Sequence, residues 1–159
     1  MVNAYRAAQE LRLCEEAQAT GYRIAKSSAK FKAATLAEKR VIIAKDVIAQ
    51  VNAGKINAVS GNVYLDDVAD FSQPAESCTA CALGAMFACA VPRLGLYSNR
   101  LIFDSFEMCE KLTPIFDKKQ LRLMEKYFEE DWVRDIKDDA DRLIAIMKNV
   151  VVNHGTFKP

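Results

Sequence analysis

The apolar positions of this chain recur mostly at intervals of three and four, the spacing of one face of an α-helix. Ala4, Ala8, Leu11, Cys14 and Ala17 form a first stripe, ended by Gly21. The "YRIAKSSAKFKAA" that follows has no clear period and reads as a basic loop or a weak helix. "TLAEKRVIIAKDVIAQVNAG" is the clearest helix of the chain. Thr35 and Glu38 stand at capping-box spacing, where each side chain satisfies a free N–H of the first turn. Ile43, Val47 and Val51, flanked by Ala44 and Ile48, make its buried stripe, and Gly54 offers the positive φ that ends it. "INAVSGNVYL" alternates loosely about Ser60-Gly61 and predicts a small β-hairpin, which must pack on helices to be stable.

After an acidic loop, "DDVADFSQPAE", the run "SCTACALGAMFACAV" between Pro74 and Pro92 predicts a third helix. "NRLIFDSFEMCEKL" predicts a fourth, with Ile102, Phe106 and Cys109 inward. A fifth lies in "TPIFDKKQLRLMEKYFEE", opened by Thr113-Pro114 or capped by Asp117 with Gln120 at the third position. Its buried face is Leu121, Met124 and Phe128. The last helix, "DIKDDADRLIAIMKNVVVNHG", turns Ile136, Ala140, Leu143, Met147 and Val150 inward and stops at Gly155. The pattern predicts a mainly α fold, a compact helical domain of about six helices with one small β-hairpin.

A length of 159 residues is one ordinary domain, and 51% hydrophobic residues suffice for a core. Lys and Arg number 22 against 21 Asp and Glu, which speaks against a strongly basic nucleic-acid binder. No segment approaches the ~18 uncharged apolar residues of a membrane span. The N-terminus carries charges throughout and no apolar run, so no signal peptide is expected. Five cysteines, an odd number, fit a reduced cytoplasmic protein with free thiols.

Four segments, "EKRVIIAKDVIAQVNAGKI", "CTACALGAMF", "FDKKQLRLMEKYFE" and "RLIAIMKNVVVNHGTFKP", resemble in that order a group of small uncharacterised proteins of tailed phages and bacteria. The shared pattern is a CxxCALGA core and a C-terminal RLxAIMxNxxxxxGTFxP segment. The CALGA core followed by helices is also similar to a broader bacterial domain family of unknown function. The resemblance covers roughly Thr35 to Pro159. It implies a helical domain over residues 35–159 and an N-terminal extension over 1–34, without an assigned activity. It also implies a mobile-element setting, where small helical proteins often bind host or defence proteins.

The cysteines offer the first candidate chemistry. Cys78 and Cys81 make one CxxC pair, and zinc commonly takes two. On one straight helix Cys78 and Cys89 lie about 16 Å apart along the axis, too far to share an ion. A redox pair or a nucleophile is the alternative, with Cys78 or Cys81 served by the single histidine, His154. The surrounding Ala80, Ala82, Gly84, Ala85, Ala88 and Ala90 favour a third reading, a thin central core helix whose thiols are small apolar packing.

Other candidates are weaker. Asp66, Asp67 and Asp70 have DDxxD spacing, suited to Mg²⁺ and diphosphate, but a second acidic motif and a large barrel would be needed. Asp138, Asp139 and Asp141 suit the start of a helix. His154 at the end of the last helix reads as a capping residue. Residues 1–40 hold eight Lys and Arg against four Glu, with Tyr22 and Phe31 interleaved. Arg23, Lys26, Lys30 and Lys32 are therefore the candidates for weak nucleic-acid contact. No nucleotide-binding or hydrolase motif is present. The expected function is that of a small non-enzymatic cytoplasmic binding protein without cofactor or metal. A phage accessory or anti-defence inhibitor directed at a host or defence-system protein would fit. A thiol-dependent enzyme at Cys78 or Cys81 is the alternative. Residues 1–33, poor in large apolar surface, are expected to form a separable arm.

Overall fold

The computed structural model describes residues 29–61, 65–66, 78–94, 105–130 and 136–159, with the backbone alone at 65, 66, 91, 92, 94 and 105. These residues form α1 (Leu36–Asn52), β1 (Ile56–Ala58), β2 (Leu65–Asp66), β3 (Cys78–Ala80), α2 (Ala82–Leu94), α3 (Ser105–Leu112), α4 (Lys118–Glu129) and α5 (Asp139–Val152). Residues 29–33 are also helical. The architecture is mainly α, as the periodicity predicts.

Local chemistry sets the helix ends. Thr35 and Glu38 close the capping box of α1: Glu38 N–H donates to Thr35 Oγ1 at 3.2 Å, and Thr35 N–H donates to Glu38 Oε2 at 2.7 Å. Asp117 caps α4 by accepting from Lys119 N–H, and Asp138 caps α5 by accepting from Asp141 N–H. Gln120 is not part of the α4 cap. It holds the C-terminal strap instead, accepting from Phe157 N–H at 2.7 Å and donating to the Phe157 carbonyl.

The expected hairpin is not formed. β3 lies between β1 and β2, parallel to β1 and antiparallel to β2, with Ile56 opposite Cys78 and Leu65 opposite Ala80. The same insertion corrects the third helix. Cys78–Ala80 is strand, and α2 begins only at Ala82 and runs through Pro92. Pairing with two strands distant in sequence supplies β3 with backbone partners that local periodicity cannot reveal.

α2 is the central helix. It packs against α1, α3, α4 and all three strands, while α1 and α5 form the most extensive helix pair. Ala82, Leu83, Ala85, Met86, Phe87, Cys89 and Ala90 are all buried. In α3 the inward face is Met108 and Leu112 rather than Phe106 and Cys109; Phe106 is 64% exposed and Cys109 half-buried. Both stripes satisfy helical spacing, and the position of α2 selects between them. Ile102 lies outside the described residues. Leu121, Met124, Phe128, Leu143, Met147 and Val150 are buried as the pattern predicts, joined by Ile146 and by Arg142. Ile136 and Ala140 are half-buried. Phe31 is 2% exposed and belongs to the core, with Lys39 Nζ 5.5 Å from its ring centroid. Any truncation that preserves this core must keep Phe31.

α5 ends in a Schellman motif: His154 N–H donates to the Val151 carbonyl and Gly155 N–H to the Val150 carbonyl. His154, not a glycine, takes the left-handed position, with φ 54°. The glycine is needed one residue later. A Cβ on Gly155, which has φ 94°, would lie 2.6 Å from the Ala37 carbonyl oxygen of α1. Arg40 secures this contact by donating to the Gly155 and Ile115 carbonyls. Gly155→Ala is expected to cost about 2–4 kcal/mol, because strain and a backbone clash add. His154→Gly is expected to stabilise by about 0.5–1 kcal/mol, by relieving the left-handed conformation. Urea unfolding of the two variants measures both; a Gly155→Ala protein as stable as the parent contradicts this packing.

Candidate functional site

The junction of β3 and α2 places a thiol and two carboxyls together. Cys81 occupies the N-cap position of α2, its carbonyl accepting from Ala85 N–H. A thiol is a poor cap, and the first turn needs an acceptor. Glu125 provides it from α4: Leu83 N–H donates to Glu125 Oε2 at 2.9 Å. The Cys81 thiol hydrogen-bonds the same carboxyl. One helical turn on, Glu129 Oε2 accepts from Gly61 N–H at 2.6 Å, while Glu129 Oε1 is buried without a hydrogen-bond partner. Glu125 and Glu129 face each other.

This environment controls protonation. Burial pushes the Glu125 pKa up, and neighbouring Glu129 adds to the rise; bonds from Cys81 and Leu83 N–H only partly oppose them. Burial also pushes the Cys81 thiol far up, reinforced by the Glu125 charge. A helix N-terminus ordinarily favours a thiolate, but here desolvation wins. Cys89 is raised for the same first reason, burial, with Asp46 raising it further and Arg93 opposing. Arg93 is itself paired with Asp46.

The other sequence candidates are placed apart from one another. Cys78 lies in β3, and the strand–helix break brings it near enough for its charge to act on Cys89. A single straight helix would not allow this. Cys78, Cys81, Cys89 and Cys109 are free thiols. Among the described residues no cluster of three or more His, Cys, Asp or Glu could hold a metal ion. Nor is any described helix long and apolar enough to cross a membrane. His154 lines a groove on α1, with Lys30 and without Cys81. Lys32 is exposed, and Arg23 and Lys26 lie outside the described residues, as do Asp67 and Asp70.

The acidic helix start of α5 is structural. Asp139 accepts from Ser60 N–H at 2.8 Å, from the Ser60 hydroxyl and from Arg142 Nη2. Burial alone would raise its pKa, but the Ser60 and Arg142 hydrogen bonds and the Arg142 charge hold it below its ordinary value.

The His154 groove is a recess of about 530 Å³. Ala34, Ala37, Val41 and Ile42 line it, with Ala33, Lys30, Glu38 and His154 as its exposed rim. Leu36, 52% exposed, and Val152, 74% exposed, lie at the same end of the α1–α5 pair, where Gly155 meets Ala37.

Glu125, Glu129 and Arg142 were not singled out by sequence reasoning, although a signal was present. Glu125 stands in line with Leu121 and Phe128 on the buried face of α4, and Arg142 precedes Ile146 by one turn of α5. No known family model, curated protein or solved structure matches this chain.

Two outcomes are expected. Folded Glu125 keeps its proton to higher pH than the unfolded chain does, so stability falls as pH rises above the ordinary carboxyl value of about 4.3. Asp139 works in the opposite sense: its contribution is complete above the ordinary aspartate range and is lost as pH falls toward its depressed pKa. Chemical unfolding across a pH series should show Glu125→Gln flattening the first trend and Asp139→Asn the second. Native alkylation with iodoacetamide, mapped by mass spectrometry, should leave Cys81 and Cys89 unmodified until the chain unfolds. Rapid modification of native Cys81 contradicts the assignment.

Proposed function

We propose that this protein is a small non-enzymatic binding protein that acts by protein–protein interaction through the apolar groove on α1. The carrying observation is the groove itself: small and aliphatic residues line it, and Leu36 and Val152 are exposed at the same end. Surfaces of this kind, apolar within and charged at the rim, serve docking. The resemblance of the four quoted segments supports a phage accessory or anti-defence role, with a host or defence-system protein as the partner. Free thiols fit a cytoplasmic setting. The thiol-enzyme reading has less support, since burial keeps Cys81 protonated and His154 lines a different feature.

The test is affinity capture from bacterial lysate, comparing the parent with Ala33→Glu, which lines the groove, Leu36→Glu beside it and, as a control past the far end of α1, Lys55→Glu. All three positions are exposed, so melting temperatures should stay close to the parent's. The parent and Lys55→Glu should retain the same partner, while Ala33→Glu and Leu36→Glu should lose it. Capture that is unchanged in Ala33→Glu refutes the proposal.

A further inference from the structure

A second recess has a different origin and a different chemistry. α3 and α4 both pack on α2 but share no extensive interface with each other. The turn between them is held down by buried Ile115 and Phe116. The gap that remains is a cleft of about 320 Å³, within the ~300–1,000 Å³ range of small-molecule sites. Leu83 and Leu121 contribute apolar lining, with Phe106 and Cys109 on the α3 side. Phe106, 64% exposed, offers an aromatic surface at the edge of this cleft.

The polar lining is asymmetric. Lys118 and Arg122, one turn apart on α4, both reach the cleft, and their charges act on the Cys109 thiol. Glu110 is the acidic residue on the α3 side, and Glu125 lies deeper, bonded to Leu83 N–H. Two cations beside an apolar wall suit a ligand with one anionic end and a hydrocarbon body. We propose that this cleft binds a small amphipathic carboxylate, its anionic group between Lys118 and Arg122 and its hydrocarbon on Leu83, Phe106 and Leu121. Arg122 offers the planar fork that matches a carboxylate, and Lys118 a second positive charge. Glu125 lies deeper, its Oε2 already accepting from Leu83 N–H, so the anion sits at the Lys118–Arg122 mouth of the cleft. This site is separate from the α1 groove and shares no lining residue with it.

Decanoate, used below its micelle concentration with the full chain, is the probe. Calorimetry should show one saturable site, and bound decanoate should slow alkylation of half-buried Cys109. The double variant Lys118→Gln, Arg122→Gln changes only exposed positions and should bind at least about ten-fold more weakly, with an unchanged melt. Phe106→Ser should weaken binding independently. Decanol and decyltrimethylammonium, which lack the anionic group, should each bind at least about ten-fold more weakly than decanoate. The proposal is overturned by the absence of saturable binding in the millimolar range. Decanoate binding undiminished in the double variant, or equal affinity for decanol, also overturns it.

Discussion

A buried guanidinium organises one end of this molecule. Arg142, 2% exposed, donates through Nε to the Phe128 carbonyl at 2.7 Å, through Nη1 to the Ile136 carbonyl and through Nη2 to Asp139, with its charge 5.2 Å from the Phe128 ring centroid. A charge taken out of water must find compensation of this kind or it destabilises the fold by several kcal/mol, ~3–5 when a partner is missing. Meeting that demand joins the last turn of α4, the segment entering α5 and the first turn of α5. Asp139 passes the constraint to Ser60, and Glu129 takes Gly61 beside it. The turn leaving β1 is thus tied to two helices, which positions the edge of the small sheet.

α2 depends on the same logic of satisfied polar groups. Only Cys81 separates β3 from α2, and it stands at the N-cap position, where a thiol is a poor acceptor. The acceptor comes from Glu125 on another helix. That choice buries a carboxyl and brings it against Cys81, and burial then raises the pKa of both. The thiols of the alanine-rich core are packing for a physical reason: the low-dielectric setting that makes them good core atoms disfavours the thiolate that chemistry would require. With α2 as the common support, α3 and α4 need not touch each other extensively. The cleft between α3 and α4 follows from that.

What could be read from sequence was local or periodic. The Thr35–Glu38 box, the Asp117 cap, and the stripes Ile43–Val47, Leu121–Met124–Phe128 and Leu143–Met147–Val150 are decided within one or two helical turns, where neighbouring residues alone set the energy. The mainly α class follows from them. The candidate site was legible only in part: Cys81 was identified, whereas Glu125 and Glu129, which control its environment, look in sequence like ordinary charged positions of an amphipathic helix.

Tertiary structure decided the rest because the competing local options were close in energy. Cys78–Ala80 could extend a helix, and becomes strand only because β1 and β2 supply hydrogen-bond partners from elsewhere in the chain. Met108 and Cys109 lie on neighbouring stripes of one short helix, and contact with α2 settles which is buried. Gly155 reads as a helix stop, yet it serves the close approach of Ala37, which leaves the left-handed turn to His154. The sequence by itself determined the helices and their caps, since these are short-range equilibria. The sheet order, the buried Arg142 and the Glu125 cap rest on pairings between distant residues, whose value exists only once the core has assembled.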